Sequence, residues 1–256
     1  MVMNKENILI TVITVCYNSE KTIEKSIQSV LNQTTNNFEY IIVDGKSTDN
    51  TVKIIKSFEE KFRAKNLRYK WISEKDTGIY NAFNKGIKLS NGSWISFLGS
   101  DDFYVERALT SYEKHIEGLK FETDFIHSNI KINNKICFKK EWKWKEFKRS
   151  MSIAHAGGFH SAEYFQKYGL FNVDYKIAAD YELLLRAKEK LKTSHLNELT
   201  LIMSNQGVSN KRVIEVYQET TKAKINLGLN KTLSKLDFIK WVFKYKVKNI
   251  LHAVIR

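Results

Sequence analysis

The sequence predicts an α/β fold built on a mainly parallel central sheet. Within the first hundred residues, short β-branched apolar runs alternate with segments of helical period. The 256 residues, 43% of them hydrophobic, suffice for one large core, or for one domain with an appendage. Three consecutive strand-like runs end in acidic turns, and α/β sheets gather their ligands at such ends.

Ile8 to Val15 is a continuous apolar run and reads as a buried strand. Ser19 is placed to cap a helix from about Glu20 to Leu31, with Ile23, Ile27 and Val30 on one face. Phe38 to Val43 forms the second strand, and Thr48 or Asp49 caps a helix reaching about Phe62. Leu67 to Ile72 is the third strand, Ile79 to Leu89 a helix, and Trp94 to Leu98 the fourth strand. Strands alternating with helices imply parallel neighbours joined by right-handed crossovers. In the second half, Asp124 to Ile132 and Lys135 to Phe138 form a hairpin around Asn133-Asn134. A helix over Ala178 to Lys190, a strand over Leu196 to Met203 and a helix over Val213 to Leu227 follow. From Ser234 the spacing is helical again, with Ile239, Phe243, Val247, Ile250, Leu251 and Val254 on one side and Phe238, Trp241 and Tyr245 opposite.

The net charge of +14 is unevenly placed. Lys131 to Arg149 carries eight positive and two negative residues, and Lys211 to Arg256 carries eleven and three, so these two segments hold all of the excess. Both interleave lysine with aromatics, among them Trp142, Trp144 and Phe147 in the first. That pattern suits an anionic membrane surface. The aromatic face of the last helix is expected to meet lipid headgroups while its aliphatic face packs on the domain. Nucleic acid is the competing partner for so basic a chain, but no nucleic-acid-binding motif is present, so none is expected. No apolar stretch is long enough for a transmembrane helix. The polar segment Met1 to Asn7 does not read as a secretory signal, and Cys16 and Cys137 read as free thiols. These features point to a cytoplasmic protein held peripherally at the inner face of the membrane.

The strand ends carry the chemistry. Tyr17-Asn18 follows the first, Asp44-Gly45-Lys46-Ser47 the second, Glu74-Lys75-Asp76-Thr77-Gly78 the third and Gly99-Ser100-Asp101-Asp102 the fourth. Asp and Gly are common in turns and caps, which accounts for Asp49 alone better than for the whole set. Adjacent carboxylates such as Asp101 and Asp102 repel each other and are accommodated by a divalent cation. Hard oxygen ligands beside a phosphate-bearing substrate suit Mg²⁺ or Mn²⁺. No Gly-x-Gly-x-x-Gly follows the first strand and no Walker A loop is present, which argues against a dinucleotide oxidoreductase and a P-loop nucleotidase.

The order Thr14-Val15-Cys16-Tyr17-Asn18, Val43-Asp44-Gly45-Lys46-Ser47-Thr48-Asp49, Asp76-Thr77-Gly78-Ile79-Tyr80-Asn81-Ala82-Phe83-Asn84-Lys85-Gly86 and Ser100-Asp101-Asp102 resembles family 2 glycosyltransferases. The segment from His155 to Arg186, with Ala179-Asp180-Tyr181-Glu182, is similar to the acceptor half of their bacterial surface-polysaccharide branch. The resemblance implies a GT-A fold, Rossmann-like, with helices on both faces. Residues 1–104 would form the nucleotide-binding half, 105–210 the acceptor half and 211–256 a basic helical extension. It implies that Thr14, Tyr17 and Asp44 hold the uracil and ribose of a UDP-sugar, with Asp76 and Gly78 completing the nucleotide pocket. Asp101 and Asp102 match the Asp-x-Asp motif, with Asp102 on the Mn²⁺ or Mg²⁺ ion and Asp101 nearer the ribose; Ser100 stands where many relatives carry the first Asp. His155 falls near the diphosphate or the metal, and Asp180 matches the catalytic base of inverting members. The acceptor implied is a lipid-linked (polyprenyl diphosphate) saccharide. A non-catalytic nucleotide-sugar or polysaccharide binder, or a membrane-binding module, is the alternative.

Overall fold

β1 (Ile10–Cys16) is buried along its whole length, and its side chains alternate between two cores. Ile10 and Val12 face one apolar cluster and Ile13 and Val15 the other. The sheet is therefore covered by helices on both faces. This is a computed structural model, and it describes residues 8–138, 140–205 and 207–254. The polar Met1 to Asn7 segment and Lys139 lie outside the described residues.

α1 (Ile23–Leu31), α2 (Thr51–Ser57), α3 (Glu59–Ala64) and α5 (Ala108–Glu117) pack on the first face through Ile27, Ile55, Phe62 and Tyr112. α4 (Ile79–Leu89), α7 (Ala162–Tyr168), α8 (Ala179–Leu185) and α10 (Val213–Asn226) pack on the second through Phe83, Phe165, Leu184 and Ala223. The other strands are β2 (Phe38–Asp44), β3 (Arg68–Ser73), β4 (Trp94–Gly99), β5 (Phe103–Tyr104), β6 (Phe125–Ile132), β7 (Lys135–Cys137), β8 (Phe159–Ser161) and β9 (Thr193–Met203). Their order is β3-β2-β1-β4-β8-β6-β9-β5, with β7 beside β6. β3, β2, β1 and β4 are mutually parallel, and β6 runs parallel to β9. The antiparallel β8 joins the two parallel sets by pairing with both β4 and β6. α6 (Trp144–Phe147), α9 (Val208–Lys211), a 3-10 turn over Lys188–Lys190 and α11 (Lys231–Val254) complete the chain.

Several expectations shift. The helix expected to run to Phe62 is two helices, because Phe58 bonds back three residues to Ile55 and so turns its ring, with that of Phe62, into the core. The helix over Ala178 to Lys190 stops at Leu185, and Lys188 adopts a positive φ of 51°. Ser19 caps α1 with its backbone carbonyl, which accepts from Thr22 and Ile23, and not with its hydroxyl. The hairpin forms as expected, and Asn133 and Asn134 take φ of 48° and 62°, both in the left-handed region that a tight turn of this hand requires.

Residues 211–256 are not a uniform attachment. Ala223 belongs to the core, and Lys224 and Asp237 form a buried ion pair of 3.0 Å between α10 and α11. The face of α11 that packs inward is the aromatic one. Trp241 lies 6.3 Å from Tyr217 of α10, while Ile239, Phe243 and Ile250 are 61%, 67% and 62% exposed. This reverses the orientation expected from the sequence. Ser234 and Asp237 stand on the aromatic side and find their partners on Asn230 and on Lys224 and Arg149, so that side turns inward.

Candidate active site

The carboxyl ends of β1, β2, β3 and β4 share one edge, so the loops after them meet there. Asn18, in a left-handed conformation, ties the first loop to the second. Its amide donates to Ser47 Oγ at 2.8 Å and its Oδ1 accepts from the Thr48 amide at 2.9 Å. This leaves the neighbouring Tyr17 ring 61% exposed over the edge. Asp44 is fully buried and saturated with donors. Its carboxylate accepts from the Ser47 amide (3.0 Å) and hydroxyl and from Ser73 Oγ (2.6 Å), with the Cys16 thiol at 3.6 Å. Burial and the adjacent Asp44 charge push the Cys16 thiol far up, so it stays protonated.

Asp76 leans back over β2. A methyl group on Gly45 would lie 2.6 Å from Asp76 Oδ2 and 3.4 Å from the Tyr17 ring, so only glycine lets these three ends close together. Asp76 Oδ1 accepts from the Gly78 amide at 2.9 Å, and Gly78, with φ 136°, turns the chain into α4. Thr14 departs from this set. It is fully buried and its hydroxyl accepts from Tyr40 at 3.0 Å, so it offers the edge no side chain. Its β1 position points the side chain into the core two residues before the strand ends.

The β4 end is a second close approach. A methyl on Gly99 would meet Asp102 Oδ2 at 2.6 Å and Asp101 Oδ1 at 3.2 Å, so both carboxylates turn to one point. The loop is pinned by Ser26 Oγ on the Gly99 carbonyl (3.1 Å) and by the Ser19–Ser100 hydroxyl pair (3.0 Å). Asp102 is buried and accepts the Ser204 amide at 2.7 Å. Burial, with Asp101's charge adding to it, raises its carboxyl to about 7 even against that hydrogen bond.

Asp180 sits in the first turn of α8 and accepts its own helix's Tyr181 amide at 2.8 Å. Tyr80, one residue into α4, links it to the donor-side loop. The Tyr80 hydroxyl donates to the Ile177 carbonyl at 2.6 Å and lies 3.4 Å from Asp180 Oδ1. Glu219 of α10 holds the same loop by accepting the amides of Lys176, Ile177 and Ala178 at 2.8 to 2.9 Å. His155 stacks on Phe97, and its Nε2 lies 3.0 Å from that of His160. Burial lowers both imidazoles, His160 well below the usual range. Among the described residues no three His, Cys, Asp or Glu side chains form a ready metal cluster, so His155 is not gathered with Asp101 and Asp102. Glu182 is buried and forms a two-point pair with Arg186, whose remaining nitrogen, Nη1, donates to the carbonyls of both Tyr168 and Leu170.

Sequence reasoning missed Ser73, Ser204, Tyr80 as a link to Asp180, and Glu219. Only Tyr80 carried a signal, its place two residues after Gly78. A cavity of about 970 Å³ lined by Glu59, Arg63, Arg68 and Trp71 runs along the edge strand β3, away from this set of carboxylates.

The family model described as glycosyl transferase family 2 matches residues 11–177, about two thirds of the chain. The chain is similar to the PGL/p-HBAD biosynthesis glycosyltransferase of Mycobacterium tuberculosis, 27% identical over 84% of this chain and 76% of the relative. It is similar also to the chondroitin synthase of Escherichia coli, 27% identical over 92% of this chain and 34% of that much longer protein. Among solved structures, S. aureus TarS in complex with UDP-GlcNAc superposes with a TM-score of 0.69 at 19% identity, over 91% of this chain and 71% of that one. The mannosyltransferase of Pyrobaculum calidifontis, in complex with GDP-Man and Mn²⁺, gives 0.61 at 12%, over 95% and 76%. The architecture is thus the GT-A fold, and the chain belongs to glycosyl transferase family 2.

Proposed function

We propose that the chain is an inverting, metal-dependent transferase. It moves a hexose or N-acetylhexosamine from a UDP-sugar to a lipid-linked (polyprenyl diphosphate) saccharide in surface-polysaccharide assembly, at the inner face of the cytoplasmic membrane. The observation that carries this is one sheet edge bearing Asp44, Asp76, Asp101 and Asp102, with Asp180 tied to it through Tyr80. The UDP and UDP-GlcNAc complexes of TarS support the donor class, and the name of the chondroitin synthase supports a polysaccharide product.

Tyr17 offers an exposed ring on which a uracil stacks. Asp44, Asp76 and Gly78 flank the ribose, and Thr14, held inside the sheet between β2 and β4, supports the first loop from beneath. The Asp101 and Asp102 carboxylates suit Mg²⁺ or Mn²⁺. Both are hard oxygen donors turned to one point, and no Lys or Arg among the described residues pairs with either. His155 is a further candidate ligand once it leaves His160. Bound there, the cation would neutralise charge on the leaving diphosphate. Asp180 takes the proton from the attacking acceptor hydroxyl as that oxygen displaces the nucleoside diphosphate from the anomeric carbon, inverting it.

A panel of nucleotide sugars, with Mn²⁺, Mg²⁺ or chelator, tests this on the full chain and on Asp180→Asn. UDP-sugars should turn over only with metal, and an α-linked donor should give a β-linked product. Asp180→Asn should keep donor binding and lose about two to four powers of ten in transfer. Full activity in excess chelator would remove the metal assignment, and a parallel loss of donor binding would remove Asp180 as the base.

A further inference from the structure

We infer that the outward aliphatic face of α11 is the surface on which the protein rests against an anionic bilayer. This deepens the proposed action on a lipid-linked acceptor and rests on it, but names a face and a chemistry that the active site does not. Leu233, Leu236, Ile239, Phe243, Val247, Ile250 and Leu251 form one continuous stripe, each between 37% and 67% exposed. So large an exposed apolar stripe on a soluble surface marks a contact.

The charges around the stripe select the partner. Lys240, Lys244 and Lys248 run along one flank and Lys235 and Lys246 along the other, all exposed. The single acidic residue of α11, Asp237, is turned inward and bound by Lys224 and Arg149. An apolar face between two rows of lysine, with no outward carboxylate, is complementary to hydrocarbon beneath anionic headgroups. No described helix is long and apolar enough to cross a membrane, so α11 would lie in the interface plane. The opposite face is fixed to the domain by Phe238, Trp241 and the buried Asp237–Lys224 pair, so α11 is presented as a rigid edge.

Flotation of the full chain with phosphatidylglycerol and with phosphatidylcholine vesicles tests the face, with UDP binding measured on the same samples. The wild type should float with phosphatidylglycerol and much less with phosphatidylcholine, and salt should weaken it. Ile239→Asp combined with Phe243→Asp should weaken vesicle binding at least about a hundredfold. Lys244→Gln should weaken it about fivefold. All three residues are exposed, so thermal unfolding and UDP binding should not change. Tyr245→Ser, on the inward face, should leave vesicle binding intact. The inference falls if the double variant floats like the wild type, or if Tyr245→Ser releases a folded protein from vesicles. It falls too if the wild type ignores phosphatidylglycerol and instead forms a dimer that the double variant dissolves. Loss of UDP binding would overturn the transferase reading alone, since vesicle binding is scored separately.

Discussion

The ring of His127 lies fully buried on β6, 4.7 Å from that of His195, and neither of its nitrogens has a hydrogen-bond partner among the described residues. Burial, reinforced by His195, lowers its pKa to about 3. The native state therefore keeps this ring neutral, while the unfolded chain takes up a proton below about 6.5. Stability supplied by the neutral ring is complete above 6.5 and is lost as pH falls from there towards 3. From this residue alone the loss should reach about 2 kcal/mol by pH 5. Denaturant midpoints between pH 8 and 5 should show this slope, and His127→Leu should flatten it by about one proton. An unchanged slope would show that the ring is protonated in the fold. The acidic side chains of the active edge were legible in the sequence because each stands at the end of a strand or within three residues of it. Their partners were not. Ser204 reaches Asp102 across 102 residues, and Tyr40 withdraws Thr14 from the edge across 26. Such pairings are made by the sheet order, and no local pattern announces them.

At the scale of elements, long periodic segments were readable and short ones were not. β1, β2, β4, α4 and the β6–β7 hairpin lie where the apolar pattern and turn chemistry put them. β8 has three residues and β5 two, too few for an alternation to show, yet β8 is the strand that joins the two parallel sets. α10 was readable as a helix, but its relation to the acceptor half was not. Glu219 gives it a specific task there, because one carboxylate satisfies three amides of the segment just before Asp180. Hydrogen bonds to a charged acceptor are the stronger kind, so the segment is held in place from outside the 105–210 half. Glu219→Gln keeps the shape but removes the charge and one acceptor oxygen. Transfer should fall about tenfold in kcat through a looser base, with UDP binding unchanged. Equal effects on UDP binding and kcat would mean that α10 supports the whole fold and not the base.

For the molecule as a whole, the question is how the neutral body and its two basic segments are joined. The first basic segment enters through Arg149 and the second through Lys224 and Asp237. Arg149 Nε donates to Asp237 at 2.6 Å, and Lys224 Nζ donates both to Asp237 at 3.0 Å and to the Arg149 carbonyl at 2.6 Å. Lys224 and Asp237 are 2% and 3% exposed, so water does not replace a lost partner. A cut before Ser234, natural if α11 were a detachable tail, would strip Asp237 from Lys224 and uncover the face of α10 on which Trp241 packs, and should destabilise the entire fold. Removing residues 246–256 spares Asp237 and Trp241 and should leave a folded protein. Breaking a buried pair by removing one partner is strongly destabilising, so Asp237→Ala should lower unfolding free energy by about 3 to 5 kcal/mol. The partly exposed Arg149 moderates this towards the lower figure, since it can turn to solvent whereas Lys224 cannot. Lys235→Gln, an exposed lysine two residues away, should change stability by less than about 0.5 kcal/mol. Chemical denaturation of the three proteins at neutral pH separates the cases. If Asp237→Ala proved as stable as Lys235→Gln, the joint would be dispensable, and α11 would be a tail docked on the domain and not a part of it.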